Sequence, residues 1–182
     1  MMTMDQSAHP QTEGVSIVSG EVLPEWIDVN GHMNVAYYVL VFDRAIDTLW
    51  ERLGVTSEYI EIKNCSTFAV ECHVTYQKEL KENEPYLVTS QILGYDEKRI
   101  HQFQRMYHAN MKYLAATAEW MNLHVDLTSR RVTPWPKFVV LALQEFVAHQ
   151  GVFPKPPEAS RTMNIDSPIF VTQTDDKIFA GN

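Results

Sequence analysis

The sequence is short of what several large protein classes require. Only two cysteines, Cys65 and Cys72, occur in 182 residues, without CxxC spacing and in or beside a segment that reads as a strand. A disulfide framework is excluded, and reduced, buried thiols in a cytoplasmic setting are expected. Basic residues are scarce: 15 Lys and Arg stand against 23 Asp and Glu, a formal charge of −8, and their longest groups are the dipeptides Lys98-Arg99 and Arg130-Arg131. No nucleic-acid surface is expected. Long apolar runs are missing as well, since the best, Val35 to Phe42, is eight residues where about 20 are needed to cross a bilayer. Met1 to Glu13 hold no Lys or Arg and no apolar core, so they do not read as a secretory signal. His73, His101, His108 and His124 form no HExxH or other tight ligand pair, so no metal is expected, and no Gly-x-Ser-x-Gly elbow supports a serine nucleophile.

What is present suffices for one core, with 45% hydrophobic residues in a chain of single-domain length. Residues 1–14 are expected as a flexible N-terminus, 15–150 as the domain and 151–182 as a C-terminal extension. The role of that extension, with its apolar patch Ile169-Phe170-Val171, stays open. Val15 to Leu23 alternates as a first strand, closed by Pro24, and a loop rich in Asp, Asn and Gly follows. Val35, Tyr38, Val39, Phe42, Ile46, Leu49 and Leu53 then recur at spacings of three and four, the mark of one helix face. Asn34 is the expected N-cap and Gly54 the residue beyond the C-cap. Because the first half of this helix is apolar on every side, it is expected to be surrounded at its beginning and to emerge at its end.

After a polar linker, Thr56 to Asn64, Thr67 to Tyr76 alternates with Phe68, Val70, Cys72, Val74 and Tyr76 on one face and Thr67, Ala69, Glu71, His73 and Thr75 on the other. Tyr86 to Tyr95, Ile100 to His108 and Tyr113 to Asp126 complete four strands. A second helix, Phe138 to His149, carries the stripe Phe138, Leu141, Ala142, Glu145 and Phe146. This pattern predicts an α+β domain, an antiparallel sheet curled around one long helix, plus a C-terminal helix. An edge strand and one broad sheet face would be left open, so a second copy of the chain is expected as partner, in a homodimer or homotetramer.

The loop before the long helix reads Trp26-Ile27-Asp28-Val29-Asn30-Gly31-His32-Met33-Asn34. It resembles the Asp-x-x-Gly-His-x-Asn signature of the 4-hydroxybenzoyl-coenzyme A thioesterase branch of hot-dog enzymes. Val74-Thr75-Tyr76 and Val125-Asp126 ahead of Arg130 and Pro136 follow in order, and the likeness covers Val15 to Gln150. Within that branch the wording is similar to thioesterases of carnitine breakdown, through Asn-Gly-His-Met and the strand Phe68 to His73. The resemblance implies a hot-dog acyl-CoA thioesterase, with betainyl-CoA as substrate and glycine betaine as product. Coenzyme A is then part of the substrate, and no separate cofactor is implied. A thioesterase for another short or aromatic acyl-CoA, or a non-catalytic acyl-CoA-binding module, are the alternatives. Many branch members have Asn-Asn where Asn34-Val35 stands, so a second polar contact at the helix start is in question.

Thioester hydrolysis requires attack on a carbonyl carbon and a place for the charge that develops on oxygen. Asp28 is the candidate catalytic group, as general base or as nucleophile. Gly31, His32, Met33 and Asn34 are candidates for the oxyanion and positioning roles, through free N–H groups at the helix start and through the close backbone approach that Gly31 would permit. An isolated Asp before Val-Asn-Gly would more often cap a turn, and His32 reads as a positioning residue rather than an acid-base catalyst. Glu71 is the candidate counter-charge for a trimethylammonium head, with Trp26, Tyr37 or Trp120 as cation-π partners. Glu119 reads as a member of a structural pair. Lys98, Arg99, Arg130 and Arg131 are weaker candidates for contacts with coenzyme A phosphates.

Overall fold

A computed structural model describes residues 12–163, so the expectations for the N-terminal residues before Thr12 and for Ile169-Phe170-Val171 lie outside the described residues. The chain runs from β1 (Val15–Glu21) through a 3-10 turn (Pro24–Trp26) to α1 (Val35–Arg52) and α2 (Ser57–Lys63). The strands β2 (Cys65–Tyr76), β3 (Pro85–Tyr95), β4 (Arg99–His108), β5 (Leu114–Asp126) and the short β6 (Arg131–Val132) follow, before α3 (Lys137–Gln150). The main path is β1-β3-β4-β5-β2, antiparallel throughout, so β1 and β2 are its edges.

The long helix has the expected caps. Asn34 Oδ1 accepts from the Ala36 N–H at 3.0 Å, and Gly54 takes φ +85°, a left-handed conformation that glycine adopts without strain. A side chain at Gly54 would also strike the Phe138 ring, 2.9 Å from an added Cβ. Tyr38, Val41, Phe42, Ala45, Ile46, Leu49 and Trp50 form the buried stripe. The expected direction of emergence is reversed, however: Val35 is 53% exposed while Leu49 and Trp50 are buried. The apolar first turn has no neighbour on one side within a single protomer. The Thr56 to Asn64 linker is also corrected, because it holds α2, which Thr56 caps by accepting from the Tyr59 N–H at 3.1 Å and which Asn64 ends at φ +49°.

A bulge corrects the face assignment of β2. Ala69 pairs with Asn122 and Glu71 with Met121, so Val70 is the extra residue and the alternation changes phase there. Phe68 therefore shares the outer face with Glu71, His73 and Thr75, while Cys72, Val74 and Tyr76 face α1. Cys72 lies exposed on this edge strand rather than buried, and both cysteines are free. The inner face presents Val88, Ile92, Ile100, Met106, Ala116 and Ala118 to the helix. Gln104 is buried among them with both amide atoms used, donating to the Phe42 carbonyl at 3.1 Å and accepting from Trp120 Nε1 at 2.9 Å.

α3 buries Val139 and Leu143 rather than the stripe expected for it, and Phe138 and Leu141 are 44% and 49% exposed. The helix is apolar around most of its surface, so spacing alone permits either face. The segment after it crosses the outer face of the sheet. Gln150 brackets the Ile92 backbone with two hydrogen bonds, Gln91 donates to the Pro154 carbonyl, and the Ser160 N–H donates to Glu119. Part of the broad face expected to be open is thus covered by the chain itself. Among the described residues no helix is long and apolar enough to cross a membrane.

Candidate active site

Ile27 and Met33 pair as an isolated antiparallel bridge and close a tight loop over residues 28–32. The Asp28 N–H donates to the His32 carbonyl and the Gly31 N–H to the Asp28 carbonyl, both at 3.0 Å. Gly31 has φ +79°, and no atom lies within 4 Å of where its Cβ would stand. Glycine serves the turn here through its positive φ, and the space at its missing Cβ is open.

Asp28 divides its two oxygens. Oδ1 accepts from the Asn30 N–H at 2.8 Å, the turn-capping role common to Asp in loops. Oδ2 lies 3.9 Å from His32 Nδ1, outside hydrogen-bond range, and the side chain is 18% accessible. His32 Nδ1 is 3.2 Å from the Met33 carbonyl, and its Nε2 is 3.9 Å from Glu79 Oε1. The ring is thus fixed between backbone and two carboxylates, with one oxygen of Asp28 uncommitted beside it.

The helix start corrects the expected set of oxyanion donors. Gly31, Met33 and Asn34 already donate, to the carbonyls of Asp28, Leu80 and Trp26 respectively. Among the described residues, the N–H groups of His32 and Val35 have no acceptor. Val35 begins α1, where the helix dipole adds to the pull on a negative charge.

His32, Met33 and Val35 open onto a cavity of about 560 Å³ whose other walls include Tyr38, Tyr76, Glu79, Glu84, Met111 and Tyr113. Asp28 is not on that wall in one protomer; His32 connects the two. Burial raises the Tyr38 phenol above its ordinary range; the Leu80 N–H opposes that and Glu79 and Glu84 add to it. Burial followed by Glu84 pushes Tyr113 up to about 12.

The substrate-contacting residues expected from sequence are placed elsewhere. Trp26 is 5% exposed and stacks on Tyr37 at 5.4 Å and on Tyr86 at 6.5 Å, so Trp26 does not offer the open ring anticipated, while Tyr37 is half-buried. Trp120 is mostly buried and donates to Gln104, and it lines the same outer-face cavity as Glu71. Glu71 lines a separate cavity of about 260 Å³ on the outer face, with His73, His101 and Glu119. The structure does not bring Glu71 and Asp28 together within one protomer, because Glu71 alternates with Cys72, Val74 and Tyr76 and so points away from α1. Lys98 pairs with Glu97 at 3.6 Å, Arg99 with Asp96 at 2.6 Å, and Arg130 lies 5.3 Å over the Phe68 ring. Among the described residues, no three His, Cys, Asp or Glu side chains converge to hold a metal ion.

Tyr76, Glu79, Glu84, Met111 and Tyr113 were not read from the sequence as site residues. Topology could have found them: in this all-antiparallel order the β2–β3 and β4–β5 connections fall at one end of the sheet.

Residues 22–143 match the model of the thioesterase-like superfamily, and the chain belongs to that family. More particularly, it is 34% identical over 144 residues to a betainyl-CoA thioesterase of Pseudomonas aeruginosa, covering 79% of this chain and 91% of that protein. It is also 34% identical over 145 residues to an L-carnitine dehydrogenase/betainyl-CoA thioesterase of Rhizobium meliloti, of which it spans 29%, using 80% of its own length. A Staphylococcus aureus protein solved in complex with CoA superposes with TM-score 0.80 at 25% identity, covering 86% of this chain and 99% of that one.

Proposed function

We propose that this protein hydrolyses betainyl-CoA to glycine betaine and coenzyme A, a step of carnitine breakdown. The observation that carries the reading is the uncommitted Oδ2 of Asp28 in a loop where the N–H groups of His32 and of Val35, the first residue of α1, have no acceptor. The similarity to betainyl-CoA thioesterases supplies the acyl group. With the carbonyl oxygen facing the His32 and Val35 amides, water attacks the carbonyl carbon while Asp28 takes its proton. The C–S bond then breaks, and the proton returns to the leaving thiolate. A donor of this kind stabilises the developing oxyanion by about 3–4 kcal/mol, and base assistance contributes a factor of about 10²–10⁴. Direct attack by Asp28 through an acyl-enzyme anhydride is equally balanced. Single-turnover hydrolysis in heavy-oxygen water separates the two, since only the anhydride route labels the Asp28 side chain.

A second copy of the chain belongs to this reading. β2 leaves one backbone edge unpaired, its centre at Ala69 to Cys72 is exposed, and the apolar first turn of α1 is open. Pairing of two β2 edges would cover both regions. We place the reaction in the cytoplasm, where CoA thioesters are handled. Release of free thiol from a panel of CoA thioesters tests the assignment: betainyl-CoA is expected to be the best substrate, and no thiol release from any member of the panel rejects it. Light scattering is expected to give a mass of at least two chains.

A further inference from the structure

The cavity at the start of α1 has the walls of a cation site. Tyr38, Tyr76 and Tyr113 line it together with Glu79 and Glu84, and Tyr38 meets Tyr76 edge to face with centroids 5.4 Å apart. Tyr113 is held in place through its hydroxyl, which donates to the Glu79 carbonyl at 3.0 Å and lies 3.4 Å from Glu84 Oε2. Its ring already carries a positive charge: the Lys78 ammonium sits over it, 4.0 Å from the centroid. Lys78 and Lys81 balance Glu79 and Glu84 among the charges of the wall. Attraction for a cation therefore comes from the ring faces rather than from excess negative charge. Aromatic faces favour weakly hydrated quaternary ammonium groups, which leave water at little cost.

We propose that the Tyr113 ring, with Tyr76 and Tyr38 beside it, is the subsite for a quaternary ammonium acyl head, and that Lys78 occupies it until substrate displaces its ammonium. This rests on the thioesterase reading of the Asp28 loop and adds residues to it. One cation is exchanged for another on the same ring face, so the charge of the cavity is unchanged on binding. A neutral acyl group of the same shape would leave Lys78 where it is and gain nothing from the ring's quadrupole. A primary ammonium, more strongly hydrated, would gain less than a quaternary one.

The experiment compares kcat/KM for betainyl-CoA with that for tert-butylacetyl-CoA, its neutral isostere, in the full-length protein. The parent is expected to favour the cation. Tyr113→Leu should lower the ratio about tenfold, and Tyr113→Phe, which keeps the ring, should restore it to within about threefold of the parent. Lys78→Met should raise the ratio by lowering KM for betainyl-CoA. Lys78 is exposed, so this variant decides the matter even if Tyr113→Leu does not fold. An unchanged ratio in a folded Tyr113→Leu protein, or a lowered one in Lys78→Met, overturns the subsite while leaving the thioesterase reading intact. A parent that hydrolyses both esters without preference overturns the subsite and the betainyl assignment together, and a parent that hydrolyses neither overturns the thioesterase reading itself.

Discussion

Asp28 and Glu119 are both carboxylates near a histidine that lines a cavity, yet they stand in opposite states. Glu119 is fully engaged: Oε1 meets His101 Nε2 at 2.6 Å and Oε2 accepts from the Ser160 N–H at 2.7 Å. Asp28 spends one oxygen on its turn and leaves the other 3.9 Å from His32. Residue type and neighbourhood are alike, so what separates the structural acid from the one proposed to react is unspent hydrogen-bonding capacity. The surroundings agree: the amides beside Asp28 include two without acceptors, whereas the chain beside Glu119 is tied down by it.

The largest expected effect tests that contrast directly. Asp28→Asn keeps an oxygen for the Asn30 N–H, so the loop should hold its shape while thiol release falls at least a hundredfold, following the base-assistance range of about 10²–10⁴. Unaltered turnover in a folded variant would reject Asp28 as the reactive group. Glu119→Ala should do the reverse, because His101 and the Ser160 amide lose their acceptor. A loss of about 1–3 kcal/mol in denaturant unfolding is expected, with kcat on the best substrate within about twofold of the parent. Loss of turnover without loss of stability would place the outer-face cavity in the reaction and dissolve the comparison.

The same contrast explains what was legible in the sequence. The period change from β1 to α1, the caps Asn34 and Gly54 and the four later strands follow from local spacing, and each stands within a few residues of its expected place. α2 escaped because seven residues are too few to show a helical period; only its caps, Thr56 and Asn64, carried a signal. The phase change in β2 escaped because a bulge adds one residue without disturbing composition, and that one residue moved Phe68 onto the outer face beside Glu71. Asp28 was singled out through its motif, and its role stays a proposal. Which amides near it were free was not legible, since the acceptors of Met33 and Asn34 are the carbonyls of Leu80 and Trp26, set by tertiary structure. The helix start was misread for a related reason: an apolar surface shows that a segment is covered without saying whether its own chain covers it.

Smaller effects sharpen the picture. Asn34→Ala removes the acceptor for the Ala36 N–H and should cost about 1 kcal/mol in denaturant unfolding. Smaller still is the acid limb of stability, where two surface turns make a defined contribution. Asp96 is held below the ordinary carboxylate range, first by the Lys98 N–H and then by Arg99, and Asp126 by the backbone and hydroxyl of Ser129. A carboxyl whose folded pKa is depressed stabilises the native state above its unfolded value and loses that contribution as pH falls through the folded one. Melting temperature should therefore fall on acidification below the unfolded Asp value of about 3.9, and Asp96→Asn with Asp126→Asn should flatten that fall while leaving the neutral-pH limb level.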